Sequence, residues 1–161
     1  MVLLVEQLDS YCGIYCGGCF IRKSFRKNNR KYIPEKWNWI TEDIPLECNG
    51  CKSDTLFIGC QHCKIRKCAS ERKIEFCNLC QDYVECVLIK NLNSHEHPHH
   101  IVAKHSLELI KQISKEKWLE AQQDRWKCKN CGYPYSWYEE KCEKCGDTLY
   151  NSRVEAKSLQ K

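Results

Sequence analysis

Apolar residues recur at helical spacing over only one long stretch of the chain. From Ala103 to Asp124 the sequence AKHSLELIKQISKEKWLEAQQD contains no Gly or Pro, and Ala103, Leu107, Ile110, Ile113, Lys117 and Ala121 follow at intervals of three and four. The pattern predicts one long helix over 102–125. A shorter helical pattern runs from Phe20 to Tyr32, with Ile21, Phe25 and Tyr32 on one face. Between residues 12 and 86 the apolar runs are short, which predicts short helices and loops. The chain therefore divides into a region over 11–90, a histidine-rich connection over 91–101, the helix over 102–125, a compact module over 126–150 and a polar tail over 151–161 that is expected to fray. No apolar run approaches the roughly 20 residues of a membrane helix.

Cysteine changes this picture. Fifteen of the 161 residues are cysteines, and twelve form Cys-x-x-Cys pairs: Cys16/Cys19, Cys48/Cys51, Cys60/Cys63, Cys77/Cys80, Cys128/Cys131 and Cys142/Cys145. Cys12, Cys68 and Cys86 stay single. Two thiolates three positions apart in a tight turn reach one tetrahedral metal, and two such pairs close a four-sulfur shell. The paired spacing and odd count favour reduced thiols over a disulfide framework, and MVLLVEQLDSYC lacks the basic start of an export signal, so a cytoplasmic protein is expected. A hydrophobic fraction of 42% that counts all the cysteines overstates the apolar content, so metal is expected to assist the core.

The clearest constellation lies over 126–150. Cys128, Cys131, Cys142 and Cys145 form two pairs ten residues apart, each followed by glycine, Gly132 or Gly146, which lets the backbone turn left-handed and aim amides at sulfur. This spacing predicts a zinc ribbon, with iron in a rubredoxin-like site as the chemical alternative. Tyr133, Tyr135, Trp137 and Tyr138 are expected to form its small core and its seat against the Trp118 and Trp126 end of the helix, in preference to an exposed stacking platform.

Closer to the start, Cys12-x3-Cys16-x2-Cys19 has the spacing of the cluster loop of radical S-adenosylmethionine enzymes. The barrel such an enzyme needs, of about 200 residues or more, is missing. Zinc ligation by Cys16 and Cys19 is the better reading. The four N-terminal pairs, Cys16/Cys19, Cys48/Cys51, Cys60/Cys63 and Cys77/Cys80, match two four-cysteine sites in number. Cys12, Cys68 and Cys86 could add a further site with His62 or one of His95, His97, His99, His100 and His105. About three zinc ions are expected in all, with one iron–sulfur cluster on part of the Cys12 to Cys86 set as the alternative. The partition of these eleven cysteines stays open, and so does the role of the histidine run, read here as a solvated loop.

The formal charge of +5 treats cysteine as neutral. Each zinc held by four thiolates contributes about −2, so three such sites bring the total to about −1 and remove global basicity as an argument for nucleic acid. The local signal is Arg22, Arg26 and Arg30 in one row beside Lys23, Lys27 and Lys31 in the next, a basic stripe from Arg22 to Lys31 that could meet a protein or nucleic-acid partner. No base and oxyanion donor can be assigned to Cys12, Cys68 or Cys86, so no catalytic residue is named and a non-enzymatic role is favoured.

CGIYCGGC, CNGC and CQHCKIRKCASERKIEFCNLCQDYVEC, followed by KWLEAQQDRWKCKNCGYPYSWYEEKCEKCG, resemble the bacterial and archaeal cysteine-rich family known as domain of unknown function 3795, from about Tyr11 to Gly146. Val84 and Glu85 stand before Cys86 where that family commonly has a proline. The resemblance implies cysteine-based metal binding and no activity. The expected architecture is a small, metal-stabilised, mainly α protein: an irregular cysteine-rich N-terminal domain, one long helix and a C-terminal zinc ribbon. Its expected role is that of a metal-binding adaptor, with an iron–sulfur redox protein as the alternative.

Overall fold

Helices dominate the computed structural model, which describes residues 6–94 and 97–161, so His95 lies outside the described residues. They are α1 (Phe20–Lys27), α2 (Ile58–Gln61), α3 (Lys64–Glu71), α4 (Val87–Ser94), α5 (Pro98–Ile113), α6 (Lys115–Arg125) and α7 (Ser152–Leu159). Single helical turns at Cys16–Gly18, Arg30–Tyr32, Glu35–Trp37, Cys77–Leu79 and Tyr83–Glu85 punctuate the loops. Among the described residues there is no strand, only the isolated antiparallel bridges Lys127 with Pro134 and Lys141 with Thr148.

Helix α5 is the axis on which distant segments meet. Pro98 opens it, where a missing amide is harmless, and Ala103, Leu107 and Ile110 bury the predicted face. The long helix of the sequence reading is two helices. Ser114 sits at φ 77°, and this left-handed residue ends α5 and redirects the chain into α6. The tail also departs from expectation, because Asn151 accepts hydrogen bonds from the amides of Arg153 and Val154 and so caps α7, which packs on α5. The basic stripe is broken in the same way: Asn28 takes the left-handed conformation at φ 48° and closes α1, leaving Arg30 and Lys31 in a separate turn.

The core is apolar and strongly aromatic. Trp118 is fully buried beside Tyr15, their rings 6.0 Å apart and edge to face. Phe20 from α1 meets Trp37 at 4.9 Å, Trp137 at 5.9 Å and Tyr138 at 6.0 Å, joining the N-terminal region to the C-terminal module. The Trp137 amide donates to the Gly18 carbonyl at 2.9 Å, and a Cβ on Gly18 would lie 2.7 Å from Trp137 Nε1. Packing between modules therefore supplies cohesion that composition alone assigned to metal. A buried ion pair, Lys52 with Asp9 at 2.5 Å, adds a polar tie, with Lys52 Nζ over the Phe76 ring at 4.3 Å.

Gly13 fixes the first cysteine loop to α5. Its φ is +89°, and a Cβ there would stand 2.4 Å from the Ala103 carbonyl oxygen. Gly13→Ala is therefore expected to lower stability by at least about 1–3 kcal/mol, read as a lower urea midpoint. An unchanged midpoint contradicts this packing.

Candidate metal centre

Cys128, Cys131, Cys142 and Cys145 converge, with all four sulfurs within 4.8 Å of one another. Cys128 and Cys145 are 3.6 Å apart and Cys131 and Cys142 are 3.5 Å apart. A zinc–sulfur bond of about 2.3 Å places tetrahedral sulfurs about 3.8 Å from each other, so the quartet fits a single ion. Two equivalent turns build it. The Cys128 amide donates to the Tyr133 carbonyl and the Gly132 amide to the Cys128 carbonyl; Cys142, Asp147 and Gly146 repeat the arrangement. Gly132 and Gly146 hold φ +71° and +76° with open space where a Cβ would be, so conformation rather than room requires glycine. The Asp147 amide is the main influence that brings the Cys145 thiol down to about 7, into the range where thiolate and metal ligand form readily.

The aromatic loop is the module's core, as its sequence suggests. Tyr135, Trp137 and Tyr138 are buried, and Trp126 meets Tyr135 edge to face at 5.4 Å. Their seat includes α1 and the histidines as well as the Trp126 end of α6.

The eleven N-terminal cysteines fall into two neighbourhoods. Cys16, Cys19, Cys48, Cys51, Cys60 and Cys63 form the first, and Cys12 adjoins both, acting on Cys51 on one side and Cys77 on the other. Burial pushes Cys16 well up, helped by the negative charges of Cys51, Cys19 and Cys48. Burial likewise raises Cys51 to about 12, with Cys12 and Cys63 adding to it. Cys60 is raised by burial and then by Cys19, Cys48, Cys51 and Cys63. The Cys51 amide donates to the Cys16 sulfur at 3.4 Å. The second neighbourhood is Cys68, Cys77, Cys80 and Cys86, which line one cavity. Two of the single cysteines thus join a pair, a grouping that the x2 spacing hides. All fifteen thiols are free of disulfides.

Of the described histidines, His97, His99 and His100 take aromatic partners, and His105 is exposed. His62 is exposed, while His99 stacks on Trp137 at 4.4 Å and shares a 2.5 Å hydrogen bond with the Tyr138 hydroxyl. Burial, followed by His100 and His97, holds His99 well below the usual histidine range. His97 faces Trp37 at 5.2 Å and His100 meets His99 at 4.3 Å. These rings sit in the aromatic seam between α5 and the C-terminal module, in contrast to the solvated loop expected from sequence.

The stripe's cations pair within the chain. Arg22 and Arg26 meet Glu6, Lys23 meets Glu139 at 2.8 Å, Arg30 meets Glu42 at 3.1 Å and Lys31 meets Glu143. Lys27 lies 5.6 Å from the Tyr133 ring. The partnering acids come from residues 6, 42, 139 and 143, beyond the reach of any helical spacing rule.

A mainly helical, cysteine-rich protein with a site able to hold a metal ion is what this fold and site define. Residues 8–91 match the family described as Protein of unknown function (DUF3795), and the chain belongs to that family. The expected resemblance ran to Gly146, whereas the match ends at residue 91, so the C-terminal quartet lies beyond it. No curated protein and no solved structure matches the chain. No helix among the described residues is long and apolar enough to cross a membrane.

Complete metal removal by a chelator, or Cys128→Ser, is expected to redden and weaken tryptophan emission, because Trp126 is only 4% exposed and lies two residues from Cys128. Emission that stays unchanged after the metal is gone contradicts a metal-held module.

Proposed function

We propose that this chain is a metal-binding protein whose C-terminal quartet is a zinc ribbon and whose two N-terminal thiol neighbourhoods each hold a further centre, giving about three in all. The observation that carries this reading is the convergence of Cys128, Cys131, Cys142 and Cys145 at single-ion spacing. Zinc suits the quartet because a structural site needs four thiolates and no electron transfer. A reducing, cytoplasmic setting follows from the requirement that the sulfurs stay as thiolates.

The role that suits this arrangement is a binding or adaptor module, in which the metals fix loops that a chain rich in short turns cannot hold alone. A protein partner is favoured over nucleic acid. Arg22, Lys23, Arg26, Arg30 and Lys31 already have carboxylates, which lowers the charge that the Arg22 to Lys31 stripe can offer to phosphate. Leu79, Val84 and Val87 are 62%, 75% and 65% exposed on the turns around Cys80 and Cys86, an apolar surface that a protein partner would cover. No catalytic step is proposed.

Two measurements test this function. Elemental analysis with protein quantitation is expected to return at least one zinc per folded chain, and a zinc-free folded chain would overturn it. In a fluorescence anisotropy titration, single-stranded RNA is expected to bind weakly. Tight binding that falls steeply with salt and disappears in the Arg22→Glu, Arg26→Glu, Arg30→Glu variant would replace the protein partner with nucleic acid.

A further inference from the structure

Outside the C-terminal quartet, one group of four cysteines encloses space. Cys68 comes from α3, Cys77 and Cys80 from the single turn after Phe76, and Cys86 from the residue that precedes α4. Their cavity has about 30 Å³ open to the centre of a water-sized sphere, and Ile65, Ile74, Leu88 and Ile89 wall the rest of it. The two sets differ in spacing. Among the described residues the C-terminal quartet is the one set of three or more ligand atoms that all lie within 4.8 Å of one another, so no three of the Cys68, Cys77, Cys80 and Cys86 sulfurs do.

Spacing of this kind discriminates between occupants. A lone zinc ion draws four sulfurs to about 3.8 Å from each other, whereas in a four-iron cluster each thiolate binds a different iron and the sulfurs stand farther apart around a larger inorganic body. Closing the Cys68 quartet onto one ion would require its sulfurs to draw together across the cavity that they line. The turn is anchored against that movement. The Asn78 side chain, buried between the two cysteines of the pair, donates to the Leu107 carbonyl of α5 at 2.6 Å, and the Cys77 amide donates to the Tyr11 carbonyl at 2.8 Å.

We propose that Cys68, Cys77, Cys80 and Cys86 hold a [4Fe–4S] cluster. This rests on the reading above that the N-terminal cysteines bind metal, and it names four ligands and a centre distinct from the zinc ribbon. Two ferrous and two ferric ions with four sulfides make a core of charge +2, and each thiol loses one proton as its sulfur bonds to one iron, so four protons leave and the four thiolates bring the total to −2. Ile65, Ile74, Leu88 and Ile89 give the cluster an apolar side, while all four cysteines stay partly exposed. One polar contact tunes it: Arg72 Nη1 donates to the Cys80 sulfur at 3.3 Å and pairs with Asp82 at 2.6 Å.

The test is anaerobic reconstitution of the full, prereduced chain with ferrous and ferric iron in equal amounts and sulfide. Iron and acid-labile sulfide are measured per chain, with the visible charge-transfer band and the electron paramagnetic resonance signal after dithionite reduction. Four irons and four sulfides per chain are expected, lost in Cys68→Ala and Cys86→Ala and kept in Cys145→Ser. Arg72→Gln leaves the buried turn alone, so it is expected to keep the cluster and to move its reduction potential to a more negative value, a readout that misfolding cannot mimic. Zinc at the quartet with no iron uptake overturns the cluster and leaves the metal-binding function standing. A cluster that survives both alanine variants places the iron in the other neighbourhood and overturns this assignment, while a chain that takes up neither metal at its N-terminal cysteines overturns both readings.

Discussion

Burial disfavours the charge on these crowded thiols, repulsion between them adds to it, and together they set the terms on which the chain can fold. Cys16, Cys19, Cys51 and Cys77 are all pushed up by burial, and other cysteines add to the rise in Cys16, Cys51 and Cys77 through negative charge. A polypeptide can bring such groups together only as neutral thiols or around a cation. The latter is the proposed state. It converts the least favourable electrostatic feature of the sequence into its strongest local bonds, because a divalent ion offsets charge that Arg22, Arg66 and Arg72 offset only in part.

The crowding is tolerable because apolar packing positions the thiol-bearing loops. Helix α5 receives the first cysteine loop at Gly13, the Cys77 turn through Asn78 and the C-terminal helix α7, while the Phe20, Trp37, Trp137 and Tyr138 rings clasp the two ends of the chain. Division of labour follows. The aromatic core sets the places of the segments, and metal at the sulfur groups would lock the short turns that carry no regular hydrogen-bond ladder of their own.

How legible this was depends on how local each signal is. The C-terminal quartet was readable because two x2 spacings and two glycines at positive φ are encoded within about twenty residues of sequence. The buried face of α5 was readable from its three-and-four spacing. Ser114 defeated the prediction of a single helix, since a left-handed serine carries no compositional mark, and α7 was missed although Asn151 followed by Glu155 in the first turn is an N-terminal signature. The stripe from Arg22 to Lys31 misled because Glu6, Glu139 and Glu143, which pair with most of it, are distant in sequence. The Cys68, Cys77, Cys80 and Cys86 grouping was hidden for a related reason, as spacings of eight, two and five residues match no single-ion pattern.

The central claim is that four sulfurs at the C-terminal end of this fold grip one zinc ion. X-ray absorption at the zinc edge on the unaltered chain, with zinc counted per chain there and in Cys128→Ser, which should lose one ion, tests it. A single shell of sulfur neighbours at about 2.3 Å is the expected result. A shell of nitrogen or oxygen at shorter distance, or no zinc in folded protein, would contradict the account.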